Sequence, residues 1–489
     1  MESIEQQPWS ALFAGAETRR ELWEQVSAII ERYAGGVDEL RVAPKLDPAG
    51  LRGMLAAFDF SRGMTPREAV DLAAGALTAH QVHTSHARYY GLFNPAPTTM
   101  GIAADTLVAA FNPQLAAWSH SPFAAEAERH TIRALASRFG YYEHSTDGAF
   151  ASGGAEANHT AVIVALAAAF PKFAAEGLRA LPAQPTIYAS RESHHSLLKA
   201  ARMCGLGTDA VRAVDVDARL RMRADALEAT IARDRVAGFA PFLVVATAGT
   251  TNAGAIDPLN ACAEIAAEQG LWYHVDAAWG GAAVLVPELR PLLEGIERAD
   301  SITFDAHKWL SVPMGAGIFL TRHMDAMDRA FAIRTSYMPR EAAALDVQDP
   351  HLHTMQWSRR FTGLKVFLSL LVAGWDGYAR AIRHQTAMGE LLRTRLRDAG
   401  WRIENDTPLP VICFSDPGGA DAHAIAMAVV ASGEAWISTT VLAGARNVLR
   451  ACITNYRTTA KDIDALIGAL DRARETTSHA TAAKTATGS

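Results

Sequence analysis

From about residue 185 the chain alternates short β-rich runs with helical ones, and this rhythm restricts the possible fold more than any other feature. TIYAS (186–190), FLVVATAG (242–249), LWYHVDAAW (271–279), SITFDAHKW (301–309) and AGIFLT (316–321) are apolar runs. They are too short and too rich in β-branched or aromatic residues to be helices. ESHHSLLKAARMCG (192–205) and IDPLNACAEIAAEQG (256–270) read as intervening helices, each closed by a glycine. Strands joined through helices predict a mostly parallel sheet wrapped by helices, because each crossover must return over a face of the sheet. The expected class is α/β.

Two of these strands deliver an ionisable residue at or near their carboxyl ends: Asp276 in HVDAAWGG (274–281) and Lys308 in DAHK (305–308). Open α/β sheets build their sites at such ends. A lysine there can form an imine, and a buried aspartate nearby can partner a cationic ring nitrogen. Pyridoxal phosphate uses both. Taken singly, each motif also fits a surface lysine at a strand exit or a capping aspartate. Upstream, GAFASGGAEANHTAVIVALAAAF (148–170) opens a long alanine-rich helix with two glycines. Gly153 and Gly154 let backbone N–H groups approach an anion, and the helix N-terminus adds a favourable dipole. This is the expected phosphate cup.

Four stretches in order, SGGAEAN (152–158), ATAGTTNAGAIDPL (246–259), HVDAAWGG and ADSITFDAHKWLSVP (299–313), resemble the group II pyridoxal-phosphate decarboxylases. That family includes the aromatic-amino-acid, histidine and glutamate decarboxylases and the related aldehyde synthases. The resemblance runs from roughly Thr78 to Thr458. It implies the fold type I architecture of pyridoxal-phosphate enzymes: an N-terminal helical segment (1–77) making dimer contacts, a large cofactor-binding domain (78–365) and a small α+β domain (366–474). The small, polar tail (475–489) is expected to be disordered.

The resemblance also implies roles. Lys308 would hold the cofactor aldehyde as an imine, and Asp276 would keep the pyridine nitrogen protonated. Ala278 would let the ring lie flat, while His194 stacks on its other face. Gly153, Gly154 and His307 would hold the phosphate, with Ala155 standing where a serine is usual. Thr250 and Thr251 would support the ring's aspartate and oxygen. His159 stands where an apolar residue is usual, and reads either as a satisfied helix histidine or as an added pocket group. Phe93 and Asn94 fall at substrate-pocket positions, in a stretch where Ala87 replaces the usual proline. Trp118 and His120 lie on a loop that in the family reaches the neighbouring subunit's site.

The implied reaction is decarboxylation of an L-amino acid to its amine. Residues 336–357 have no clean period and read as a mobile functional loop. In the family a tyrosine on this loop protonates the carbanion. Aligning on SRRFTGLK (358–365) places that function near Pro350 or His351, where there is no tyrosine, and Tyr337 matches an earlier position. Two outcomes follow. His351 or His353 donates the proton and the product is the amine, the preferred reading because imidazole titrates near neutral pH. Otherwise substrate is lost to aldehyde, ammonia and peroxide, as in the aldehyde synthases. An aminotransferase, or a lyase cutting another α-bond on the same fold, is the further alternative. A non-catalytic binding protein would be expected to have lost Lys308 or Asp276, and both are present.

The 489-residue chain carries a formal charge of −6, which argues against nucleic acid or anionic membrane as the main partner. Its four cysteines are widely spaced and lack a CxxC, so free thiols in a reducing cytoplasm are expected. MESIEQQPWS does not open like a secretory signal, and TAVIVALAAAF (160–170) is too short to span a bilayer. His80, His83 and His86 are loosely spaced without a cysteine or carboxylate pattern, so no metal site is expected. The N-terminal helices cannot bury their apolar faces alone, and a homodimer with shared sites is expected. Phe93 and Trp118 suit an aromatic substrate, and Arg88 could attract an acidic one.

Overall fold

A computed structural model describes residues 12–338 and 345–487, with side chains to 477. The large sheet contains β1 (Asp147–Ala151), β2 (Pro185–Ser190), β3 (Val211–Val214), β4 (Ala240–Thr247), β5 (Trp272–Asp276), β6 (Ser301–Asp305) and β7 (Gly317–Thr321). Their spatial order is β1-β7-β6-β5-β4-β2-β3. Pairing is parallel throughout except at β7, which runs antiparallel to both β1 and β6. The short connection after β6, residues 306–316, leaves no room for the crossover helix a parallel return needs. The sheet is thus mostly parallel, as the alternation predicts. β6 and β7 are buried at every position, which accounts for their unbroken apolar character.

The helix Gly154–Ala169 packs across β1 and β4–β7, and its middle is buried on nearly all sides. Alanines at most of its positions allow this close approach. β1, β3 and the helix Ala224–Val236 were not among the elements expected from sequence. The first two are short, and that helix has no marked apolar face, so periodicity carries little signal there.

The small sheet contains β8 (Arg402–Ile403), β9 (Val411–Ser415), β10 (Ser438–Leu442) and β11 (Arg446–Cys452), all antiparallel, in the order β10-β11-β9-β8. Its core includes Leu392, Leu396, Trp401, Phe414, Ile425 and Leu466, and also Tyr90 from the large-domain side of the sequence. The expected boundary after residue 365 falls inside the helix Gly363–Asp398. That helix breaks at Gly374, where φ is 62°. The part before the break packs with Thr99–Phe111, while Leu392 and Leu396 beyond it enter the small-domain core. The tail expected to be disordered instead prolongs the helix Ala460–Thr487. The tail's alanines favour helix, and it holds no glycine or proline between Glu475 and Thr487.

The helices Ala16–Gly36, Pro48–Ala56 and Pro66–His80 contain no buried residue. Trp23, Leu55 and Leu77 are exposed on them. Tyr33 meets His83 Nδ1 at 3.0 Å, and His83 Nε2 lies 3.1 Å from the Thr78 carbonyl. His86 Nδ1 accepts from the Arg88 amide. Two of the three loosely spaced histidines are therefore engaged in holding this segment together. Among the described residues no single helix is long and apolar enough to cross a membrane.

Candidate active site

The carboxyl ends of β4, β5 and β6 and the N-terminus of the helix Gly154–Ala169 converge on a cavity of about 350 Å³. Gly153, Gly154, Ala155, His194, Thr251, Asp276, Ala278, His307 and Lys308 line it. Nine of the residues singled out from sequence therefore meet in one place, from stretches spread over more than 150 positions.

Lys308 leaves the turn after β6 and its Nζ lies 2.9 Å from Asp305 Oδ2. Asp305 is buried, and its Oδ1 has no hydrogen-bond partner among the described residues. Gly154 is required beside it, since a Cβ there would stand 2.8 Å from Asp305 Oδ2. His307 Nδ1 accepts from the Ala316 amide. Burial lowers the His307 pKa, so the ring is neutral and its proton sits on Nε2. A Cβ on Gly153 would be 3.5 Å from His307 Cε1, so this ring borders the glycine cup. His194 Nδ1 accepts from the Ser196 amide, and burial lowers its pKa too.

Asp276 is held from behind. Asn158 Nδ2 donates to its Oδ2 at 2.8 Å, and the Ala278 amide donates to its Oδ1 at 3.1 Å. His274, two residues earlier on the same face of β5, is fully buried and its pKa falls to about 4 because of that burial.

These histidines have a consequence for acid stability. Burial lowers the pKa of His83, His86, His159, His194, His274 and His307 in the folded protein. As pH falls, the unfolded chain takes up these protons near 6.5 while the folded chain resists. Stability is thus full above about pH 6.5 and is lost as pH falls toward the folded values. His274 alone accounts for on the order of 3 kcal/mol across its window from 6.5 to about 4. Urea midpoints measured at pH 7 and pH 5 are expected to fall clearly on the acid side; equal midpoints would contradict the neutral, buried assignment.

Other predicted site residues lie elsewhere. Thr250 is buried and does not line the cavity, because its hydroxyl accepts from the Ala255 amide inside the turn after β4. Thr247, at the end of β4, lines the cavity with Thr251 and approaches Ser193 Oγ at 3.3 Å. Phe93 stacks on the cavity-lining Trp279 with ring centroids 4.5 Å apart, in the left-handed backbone region at φ 69°. Such strain in a bulky residue persists only when its surroundings fix it. Asn94 accepts from the Tyr89 hydroxyl.

Trp118 lines a second cavity, of about 460 Å³, with Asp349 and His353. His120 is in the short turn that follows Trp118. Tyr337 is exposed and packs beside Trp357. His351 is buried against Trp357, with Nδ1 3.1 Å from the Ala116 carbonyl. His353 Nδ1 lies 3.1 Å from Asp147 Oδ2. Neither Tyr337, His351 nor His353 lines the Lys308 cavity of its own chain. Part of the loop, residues 339–344, lies outside the described residues.

Sequence reasoning missed Asn158, His274, Asp305 and Thr247. Asn158 had a signal: an asparagine inside an alanine-rich helix is unfavourable and calls for a partner.

The donor set fits pyridoxal phosphate. An amine, a buried carboxylate held by two donors, and a glycine-lined helix N-terminus face one small cavity. Together with the mostly parallel sheet they define a fold type I pyridoxal-phosphate enzyme. The chain matches the family described as "Pyridoxal-dependent decarboxylase conserved domain" over residues 64–416. It is 30% identical over 460 residues to an aromatic-L-amino-acid decarboxylase of Bacillus atrophaeus, covering 92% of this chain and 94% of that one. It is 34% identical over 389 residues to an L-2,4-diaminobutyrate decarboxylase of Rhizobium meliloti, covering 77% and 76%. The crystal structure of mouse CSAD in apo form superposes with a TM-score of 0.87 at 28% identity, covering 94% of this chain and 99% of that one. The chain belongs to the pyridoxal-dependent decarboxylase family, and its reaction is the pyridoxal-phosphate-dependent decarboxylation of an amino acid.

Proposed function

We propose that the chain decarboxylates an L-amino acid to its amine as a homodimer, each cavity being completed by the loop of the partner subunit. One observation carries this reading. Lys308, Asp276 and the glycine cup share a cavity, whereas Tyr337, His351 and His353 do not line it. The bare N-terminal helices and the exposed Phe111, Phe123, Leu371 and Val372 support a large interface with a second copy. The four cysteines are free thiols, which supports a cytoplasmic setting.

Bound pyridoxal phosphate supplies the sink for the electron pair left when carbon dioxide departs. The chain's own residues do the rest. Lys308 Nζ would hold the aldehyde carbon and later yield it to the substrate amine, with Asp305 taking the ammonium when it is free. The amides around Gly153 and Gly154, with His307 Nε2–H, would hold the phosphate, and Ala155 adds no hydroxyl there. Asp276 would accept a hydrogen bond from the ring N–H and keep that nitrogen protonated. His194 would cover one ring face and Ala278 the other. Thr251 lines the same cavity beside them. Asn94 holds the Tyr89 hydroxyl, and the Phe93–Trp279 stack would close one wall to water.

Arg450 lies 4.8 Å over the Phe93 ring, buried, with Nε and Nη2 lacking partners among the described residues. A buried guanidinium left this way is costly, which supports a substrate carboxylate drawn toward that end. Trp118 and His120 would border the partner subunit's cavity. His351 of the partner subunit would deliver the proton to the α-carbon.

A mixing experiment tests this. His351→Phe alone is expected to divert product from amine to aldehyde and peroxide under air, and Lys308→Ala alone is expected to be inactive. Refolding the two variants together forms mixed dimers in which one cavity has an intact lysine and an intact loop, so amine formation is expected to return. Exclusive amine from His351→Phe alone would remove His351 from the mechanism. No recovery on mixing would overturn the shared site.

A further inference from the structure

We propose that His274 and Ser301 are positioning residues that hold Asp276 as a hydrogen-bond acceptor through a one-way ladder of donors reaching back to Trp272. The proposal rests on the reading that Asp276 meets the cofactor's ring nitrogen.

The ladder follows from the pleat. Trp272, His274 and Asp276 alternate along β5 and so share one face of the sheet, and Ser301 and Thr303 stand beside His274 and Asp276 on β6. Asn158 comes in from the helix Gly154–Ala169 that covers this face. Trp272 Nε1 lies 2.9 Å from Ser301 Oγ, and Ser301 Oγ lies 2.8 Å from His274 Nδ1. His274 Nε2 lies 3.2 Å from Asn158 Oδ1, and Asn158 Nδ2 reaches Asp276 Oδ2 and Ser196 Oγ. Ser301 and His274 are wholly inaccessible to solvent, and Asn158 and Asp276 are buried.

The carboxylate end sets the polarity, and the Trp272 end is compatible with it. An indole N–H only donates, so Ser301 receives from Trp272, and its hydroxyl keeps a proton that it can give to His274 Nδ1 once that nitrogen is an acceptor. A carboxylate only accepts, so Asn158 must turn its NH₂ toward Asp276 and its oxygen toward His274. The two hydrogens of that NH₂ are then taken by Asp276 and Ser196. Asn158 Oδ1 needs a donor, which requires the His274 proton on Nε2. Burial keeps the ring from holding a second proton. Thr303 Oγ1, 3.3 Å from the same Nε2, tolerates this arrangement. No step can be reversed without setting two acceptors or two donors against each other in a dry interior. Asp276 is thereby presented to the cavity with one oxygen already receiving from Asn158 and the other from the Ala278 amide.

If His274 lost its donor, Asn158 could rotate and point an oxygen at Asp276. The repulsion would raise the aspartate's affinity for a proton and weaken its hold on a protonated ring. The test uses the full-length holoenzyme and pyridoxal phosphate carrying 15N in the ring. His274→Phe keeps the volume and removes both nitrogens. It is expected to raise the cofactor's dissociation constant about tenfold or more, the scale on which outer supporting groups act at bound centres. It is also expected to move the ring 15N resonance toward that of neutral pyridine. His274→Gln keeps a donor for Asn158, and should return the dissociation constant to within about threefold of the starting protein, as one retained hydrogen bond predicts. Equal losses in both variants would point to packing alone and overturn the proposal. So would a Phe variant with unchanged affinity and resonance. If His274→Phe does not fold, Ser301→Ala decides by the same two readouts, loss supporting the ladder and no change overturning it. Failure of the starting protein to bind pyridoxal phosphate would overturn the site reading instead.

Discussion

Lys308→Ala is expected to abolish the covalent, visibly absorbing form of bound pyridoxal phosphate and to lower turnover at least about a thousandfold, the scale on which removing a covalent catalytic group is felt. Among the described residues Lys308 is the sole lysine lining the cavity, so no neighbouring amine there can replace it. The same substitution should also destabilise the cofactor-free protein. Asp305 is buried with one oxygen already unpartnered, and Lys308 is the cation beside its other oxygen. Removing that cation leaves the charge uncompensated. Lys308→Arg separates the two effects: thermal stability of the empty protein should recover while turnover does not. Equal turnover in Lys308→Ala and the starting protein would end the assignment.

Asp276→Asn is expected to lower turnover on the order of a hundredfold or more, the range for removing one electrostatic group aimed at developing charge, and to weaken cofactor binding. The asparagine oxygen can still accept from one of the two donors, Asn158 or the Ala278 amide, and the side chain keeps its volume, so the fold should survive. It carries no charge to keep the ring nitrogen protonated, and the ring becomes a poorer electron sink. Initial rates and a cofactor titration on the same preparation check this. A variant within a few-fold of the starting protein would place the ring-nitrogen partner elsewhere.

Much of this site was legible in the amino-acid sequence. Strands β5 and β6 are apolar runs that end in Asp276 and beside Lys308, and the expected cup at Gly153 and Gly154 forms at a helix N-terminus. What escaped sequence reasoning depends on which groups the pleat sets side by side. His274 reads as one more residue of a buried strand until Ser301 is seen to stand next to it on β6. Asp305 belongs to the DAHK motif, yet its tie to Lys308 arises only from the tight turn between them. Thr250 and Thr251 are neighbours in sequence, and the turn after β4 sends one hydroxyl inward to a backbone amide while the other lines the cavity. The loop groups were the least legible: residues 336–357 have no clean period, and Tyr337, His351 and His353 do not line the Lys308 cavity of their own chain.

Strand β7 sets the spacing of the site. Gly317 is in register with Ala151 on one side and Asp305 on the other. It also presses against the cup itself, since a Cβ there would lie 2.5 Å from Gly153. One residue therefore gauges the gap between the glycine cup and the stretch that carries the lysine. Side chains alternate along a strand, so gaining or losing one residue in β7 would turn its whole face over and misalign the two at once. The five residues of β7 therefore leave no latitude in their number.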